Sequence, residues 1–258
     1  MDTVLATANR HFLKGEYTTA AEMYKEAARS GNVSAAFNYA YCLWRGIGVD
    51  YDPKEAKSFF SFARDMEGGE SCYNLAMLYM HGEGVVRDYK QAFRYMKISA
   101  SAGCTEAKLY LGMAYTMGYM LEPDVQGICM IPFHKPEYRL PDTYLLMGDV
   151  EGAEADEEAR FSVVSADGRA AFEYFRSAAH SDPTYVSDLV AKGQYLYAKC
   201  YIDGLGTDFD RQKGARLMLA AGKSGSSEAV AFLAENGITP ELLLAEAKAQ
   251  KRYKGRGV

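Results

Sequence analysis

The sequence predicts an all-α solenoid in which antiparallel helix pairs are stacked along the chain. Two glycine pairs of the form Gly-x-Gly, Gly46 with Gly48 and Gly82 with Gly84, lie 36 positions apart, and Gly118 follows Gly82 after 36 more. An amphipathic segment precedes each turn, and an acid and a second amphipathic segment follow the first two. Features that recur every ~20 to 50 residues indicate a repeat protein, in which each repeat packs on its neighbours.

Apolar residues occupy the same positions ahead of each glycine when the repeats are aligned. Spacings of two, three and four residues between these positions make one apolar stripe on a helix, which we name helix A. The aligned columns are Phe37, Tyr73 and Leu109; Tyr39, Leu75 and Leu111; Ala40, Ala76 and Gly112; and Leu43, Tyr79 and Tyr115.

An acid after the glycine turn predicts the start of a second helix, which we name helix B. A carboxylate accepts hydrogen bonds from the unpaired N–H groups of a first helical turn, so aspartate is a good N-cap. Pro53, directly after Asp52, suits the first helical position. The predicted structural turn and cap residues are Gly46, Gly48, Asp52, Gly82, Gly84, Asp88, Gly118, Asp167, Gly204, Gly206 and Asp210.

One insertion interrupts the predicted repeats. After Gly118 the expected acid and helix B do not follow, but the segment DGRAAFEY at 167–174 matches DYKQAFRY at 88–95. Residues 119–166 therefore lie between helices A and B of one repeat. The predicted repeats cover about 1–31, 32–68, 69–103, 104–181 and 182–225, followed by a partial repeat at 226–238 and by a capping helix and basic tail at 239–258.

The composition predicts a soluble, folded, cytoplasmic protein. Apolar residues make up 48% of the chain and charged residues 24%, and no apolar run approaches the ~20 residues that span a membrane. The N-terminus lacks the apolar core of a secretory signal. Five cysteines without a C-x-x-C pair favour neither disulfides nor zinc. Because the net charge of -5 includes a basic tail at 248–258, the body is acidic, and nucleic acid is not an expected partner.

The sequence contains none of the catalytic patterns that we sought. It has no G-x-S-x-G, no Walker lysine after the glycines and no H-E-x-x-H, and its four histidines are scattered. We therefore expect no enzyme activity, no cofactor, no metal ion and no small-molecule substrate. The glycine pairs are explained as turns between helices.

The aligned residues resemble the Sel-1-like repeat, a longer-looped relative of the tetratricopeptide repeat. The resemblance rests on the run YNLAMLY at 73–79, on Gly82-x-Gly84-Val85, and on Asp88-Tyr89 with Ala92. It extends over most of the chain apart from the insertion. It implies a right-handed superhelix with helices A on its concave side, and a role in assembling protein complexes rather than catalysis.

Two columns of helix A supply the candidate partner-binding residues. Asparagine amides in one column can hydrogen-bond an extended peptide, although a structural bond within the repeat is the competing explanation. Aromatic and Met side chains in the other can form an adaptable surface, unless they pack against the preceding repeat. The candidates are Asn38, Asn74 and Tyr110 in the first column, and Tyr41, Met77 and Met113 in the second.

Two alternative sites stay open at this point. The insertion at 119–166 could carry a regulatory, metal-binding or catalytic site, with His134, Glu137 and Asp142 as its candidate residues. The basic tail could contact nucleic acid, anionic lipid or an acidic partner.

Overall fold

The computed structural model describes residues 2–67, 69–118, 120, 163–184 and 186–240. Within these ranges all regular structure is helical, which confirms the predicted all-α fold. Most of the predicted insertion, including His134, Glu137 and Asp142, and nearly all of the capping helix and tail lie outside the described residues. The helices are α1 Asp2–Leu13, α2 Tyr17–Arg29, α3 Val33–Arg45, α4 Pro53–Glu67, α5 Gly69–His81, α6 Tyr89–Ser101, α7 Thr105–Met117, α8 Gly168–Ala179, α9 Ser187–Asp203, α10 Arg211–Lys223 and α11 Ser227–Glu235.

The helices are divided between two compact units. The first unit, Met1–Ser165, holds α1 to α7, and consecutive helices pack against each other throughout it. The second unit, Ala166–Val258, holds α8 to α11, with α9 packed against both α8 and α10. Helices α3, α5, α7 and α9 correspond to the predicted helix A, and α2, α4, α6, α8 and α10 to helix B.

Aspartate side chains begin four of the five B helices. Asp88 accepts hydrogen bonds from the backbone N–H groups of Lys90 and Gln91, and Asp167 does the same for its own helix. Asp52 and Asp210 each accept from the N–H group three residues on. The first repeat differs because the longer Glu16 side chain bonds the His11 ring and makes no cap hydrogen bond with α2.

Aromatic side chains fill the interface between helices A and B in the first unit. The rings of Phe37 and Phe60 meet edge to face with centroids 5.2 Å apart, and Trp44 packs on Phe60 at 6.0 Å. These three side chains are buried. In the second unit Met218 packs among buried alanines of α9, α10 and α11. Phe172 of α8 meets Tyr201 of α9 edge to face, with ring centroids 5.6 Å apart. Burial of these apolar side chains is what holds each pair together.

The second glycine of each turn lies against the start of the preceding helix B. A Cβ on Gly48 would be 2.2 Å from the carbonyl oxygen of Tyr17. A Cβ on Gly206 would be 1.9 Å from that of Gly168. Only glycine permits this approach. In the third turn the corresponding residue is Met120, which is fully buried.

Candidate partner-binding surface

The structure places most of the predicted partner-binding residues in the interior. Five of the six have exposed fractions of 6% or less, and the sixth, Met113, is partly exposed. The buried five are Asn38, Tyr41, Asn74, Met77 and Tyr110. Partner contact through these five stays a prediction, and it requires that the groups covering them move aside.

The two asparagines carry polar atoms that find no hydrogen-bond partner among the described residues. Neither the amide nitrogen nor the oxygen of Asn74 is paired, and the oxygen of Asn38 is also unpaired. Buried polar atoms are paired in the large majority of cases, because an unpaired one loses its hydrogen bonds to water. Asn74 therefore does not make the hydrogen bond within the repeat that was the alternative to peptide binding.

The buried aromatic and sulfur side chains of the two columns pack within the first unit. The Tyr110 hydroxyl approaches the Met80 sulfur at 3.4 Å and the Met120 sulfur at 4.0 Å. Burial raises the pKa of Tyr41, and the neighbouring Arg45 opposes that shift only in part. This packing is the alternative that the sequence left open for Tyr41 and Met77.

The accessible one of the six candidate residues lies on α7. Met113 is partly exposed, and Met117, one helical turn later on the same face, is 53% exposed. Thr116 beside it is also exposed, and its hydroxyl donates to the Gly112 carbonyl oxygen at 2.8 Å. Sequence reasoning named Met113 but missed Met117, although their spacing of four residues on one helix is the signal that links them.

A cluster of Trp44, Arg45 and Glu83 joins α3 to the next glycine turn. The Trp44 indole N–H donates to the Glu83 carboxylate. The Arg45 guanidinium lies 4.2 Å from the centre of the Trp44 ring. Since Glu83 belongs to the following repeat, this cluster ties two neighbouring repeats together.

In the second unit a lysine and two tyrosines form a polar cluster that the alignment did not indicate. Lys213 donates to the Tyr201 hydroxyl at 2.8 Å, and the hydroxyls of Tyr197 and Tyr201 are 3.3 Å apart. Burial acts to raise the pKa of Tyr201, but the hydrogen bonds with Lys213 and Tyr197 outweigh it, so that pKa lies below its ordinary value. Burial, with the Tyr201 hydrogen bond, raises the pKa of Tyr197 to about 12.

The described part of the chain contains neither a candidate metal site nor a candidate membrane-spanning helix. No group of three or more His, Cys, Asp or Glu side chains there is arranged to hold a metal ion. No helix in the same ranges is both long enough and apolar enough to cross a membrane.

Comparison with known proteins identifies relatives of the same repeat class. Chitin synthase regulatory factor 2 of Schizosaccharomyces pombe is 33% identical over 79 residues, which are 30% of this chain and 15% of that protein. A solved protective antigen of uropathogenic Escherichia coli, with an SLR fold, has a TM-score of 0.61 at 21% identity, over 90% of this chain and 41% of its own. A Sel1 repeat protein of Oxalobacter formigenes has a TM-score of 0.59 at 20% identity, over 84% of this chain and 49% of its own.

The matches cover only part of each relative, since this chain spans 15% of the curated protein and less than half of either solved chain. The Sel1 repeat family model matches this chain at 11–32, 33–67, 69–104, 105–126, 161–183 and 191–226. Two of these segments, 105–126 and 161–183, lie on either side of the central part of the predicted insertion. Because the matched segments together make up more than half of the chain, the protein belongs to the Sel1 repeat family.

Proposed function

We propose that the protein is a non-catalytic scaffold that binds a protein or peptide partner on the helix A face of its first compact unit. Sel1 repeat proteins generally act as protein-interaction scaffolds. The observation that supports this placement is the accessible methionine pair on α7, Met113 and Met117. Met113 continues the column that Tyr41 and Met77 begin, and Met117 lies one helical turn further along the same helix.

Methionine suits a surface of this kind. Its unbranched side chain and polarisable sulfur adapt to partners of different shape, and exposed Met residues recur on binding surfaces that accept several partners. The buried Asn38 and Asn74 lie in the helices that precede α7 in the stack, with unpaired amide atoms. An extended peptide reaching them would supply the missing hydrogen bonds.

The yeast relative is named a regulatory factor of chitin synthase, so it is described as acting on an enzyme rather than as an enzyme. We carry over no substrate and no partner from it. No chitin-related role is inferred, because the match spans 15% of that protein.

The test is affinity capture with variants that place a charge on the α7 face. Met117→Glu, and Met113→Glu with Met117→Glu, should each lose partners that the unaltered chain captures and that mass spectrometry identifies. Val86→Glu is the matched control, since Val86 is 88% exposed in a turn and receives the same charge. Circular dichroism and thermal melting establish that each variant is folded. Retention of every partner by folded Met117→Glu and by the folded double variant would refute the placement.

A further inference from the structure

The charged side chains on the exposed face of α6 are all cations. Lys90, Arg94 and Lys97 are all exposed. Their spacing of four and three residues puts them on one stripe, and α6 contains no acidic residue. Within the described part of the chain, none of the three makes an ion pair; Lys97 only approaches the Phe93 ring, at 5.7 Å from its centre.

This stripe is not a general property of the B helices. Helix α2 exposes Glu22 and Glu26 on its outer side, and α8 pairs Arg176 with Glu173 at 3.2 Å. The whole chain has more acidic than basic residues, 34 against 29. A stripe that holds three cations and no acid therefore differs from the chain as a whole, in which acids outnumber cations.

Helix stability does not account for the stripe. Like charges four residues apart repel each other, as Lys90 and Arg94 do. Lys90 is also the second residue of α6, where the helix dipole favours acids over cations. The stripe thus lowers the stability of the helix that carries it. Its presence therefore favours a role in binding rather than in folding.

Apolar side chains flank the stripe. Ile98 on α6 is 43% exposed, and Phe62, at the same repeat position on α4, is 42% exposed. The two helices are in contact, because Arg64 of α4 donates a hydrogen bond to the Tyr95 hydroxyl of α6 at 3.2 Å. Cations and exposed apolar groups therefore share one outer surface, formed by helices B.

From this juxtaposition we propose that the outer face of α4 and α6 docks an acidic amphipathic helix of a partner protein. Acids at positions i, i+4 and i+7 of such a helix match Lys90, Arg94 and Lys97, and its apolar side covers Phe62 and Ile98. Phe62 and Ile98 are each only about half exposed, which suits contact with a protein surface better than insertion into lipid. An exposed isoleucine would contribute little to the binding of nucleic acid. This surface lies on helices B and is independent of the helix A face proposed above.

The probe is a labelled synthetic amphipathic peptide with glutamates at i, i+4 and i+7 and leucines on the adjoining face, titrated against the full chain by fluorescence anisotropy. The combined change Lys90→Gln, Arg94→Gln and Lys97→Gln should weaken binding about tenfold, as the loss of three exposed ion pairs implies. Phe62→Ser with Ile98→Ser should weaken binding at unchanged charge.

The matched control is Arg211→Gln, Arg216→Gln and Lys223→Gln, which removes three exposed cations from α10, a helix that is also free of acids but exposes no large apolar side chain. It should leave the affinity unchanged. Equal weakening of peptide binding by both triple variants would overturn the proposal, because it would show that net charge alone determines the affinity. Absence of peptide binding would also overturn it, as would stripe-dependent binding of phosphatidylserine vesicles or single-stranded DNA in place of the peptide. Circular dichroism checks that each variant is folded.

Discussion

Gly84 lies so close to the peptide of Pro53 that a Cβ on Gly84 would be 2.5 Å from the Pro53 carbonyl carbon. The glycine belongs to one repeat and the proline begins helix B of the preceding one. The same relationship recurs between Gly48 and Tyr17. The second turn glycine therefore sets how closely successive repeats stack.

Gly84→Ala should destabilise the protein strongly. It combines a steric clash with a backbone φ of 66°, so we expect a loss of about 2–5 kcal/mol in the free energy of unfolding. Gly103→Ala is the control, because its φ is 106° but no other atom lies within 4 Å of the added Cβ. Backbone strain alone predicts a loss of about 1–2 kcal/mol there. Equal losses in urea unfolding would show that the close approach contributes nothing.

Asp88→Ala should remove the N-cap of α6. Two backbone N–H groups, those of Lys90 and Gln91, lose their acceptor, which costs about 1 kcal/mol of the free energy of unfolding. Asp88→Asn keeps a side-chain acceptor and should retain most of the stability. Urea unfolding measures both, and a loss in Asn as large as in Ala would indicate that charge rather than capping is at work.

These two sites show what the sequence predicts well. The positive φ of a turn glycine and the hydrogen bonds of an aspartate cap involve residues that are close in the sequence. The order of helices A and B therefore follows from local signals. Glu16 shows the limit of alignment, because it occupies the Asp88 position but its longer side chain reaches His11 instead.

The contacts that joined distant parts of the chain were harder to predict. A column such as that of Asn38 and Asn74 defines one face of a helix but not which groups cover that face. The burial of these two residues therefore could not be predicted from the sequence and is seen only in the structure. The Trp44–Glu83 contact spans 39 positions, and no local pattern marks it.

Glu83→Leu should leave the buried Trp44 N–H without its acceptor. Trp44 is 2% exposed, so the unpaired group should cost about 1–3 kcal/mol of the free energy of unfolding. Glu83→Gln retains a carbonyl acceptor and should lose less. Trp44 is the single tryptophan, so its fluorescence reports the unfolding directly. If both variants unfold at the same urea concentration, the hydrogen bond does not stabilise the protein.

Lys213→Met should raise the pKa of Tyr201, because the strongest of the groups that lower it is removed. A lowered pKa in the folded state adds stability at pH above the unfolded tyrosine value of about 10, and that stability is lost as the pH falls through the folded value. The advantage of the unaltered protein over the variant should therefore grow as the pH rises through this window.

Tyrosine ring NMR titration measures this pKa, with Tyr201→Phe assigning the signal. Lys223→Met on the same helix is the control, and it should leave the Tyr201 titration in place. An unchanged Tyr201 titration in Lys213→Met would mean that the 2.8 Å contact does not act on the hydroxyl.

Partner binding on the helix A face is tested most directly by photo-crosslinking from that face. Benzoylphenylalanine is placed at Met117, or at Val86 as the exposed control, and the crosslinked peptides are sequenced by mass spectrometry. We predict that a protein partner of the unaltered chain is crosslinked from position 117 and not from position 86. Crosslinking to the same partner from both positions, or from neither, would contradict the account.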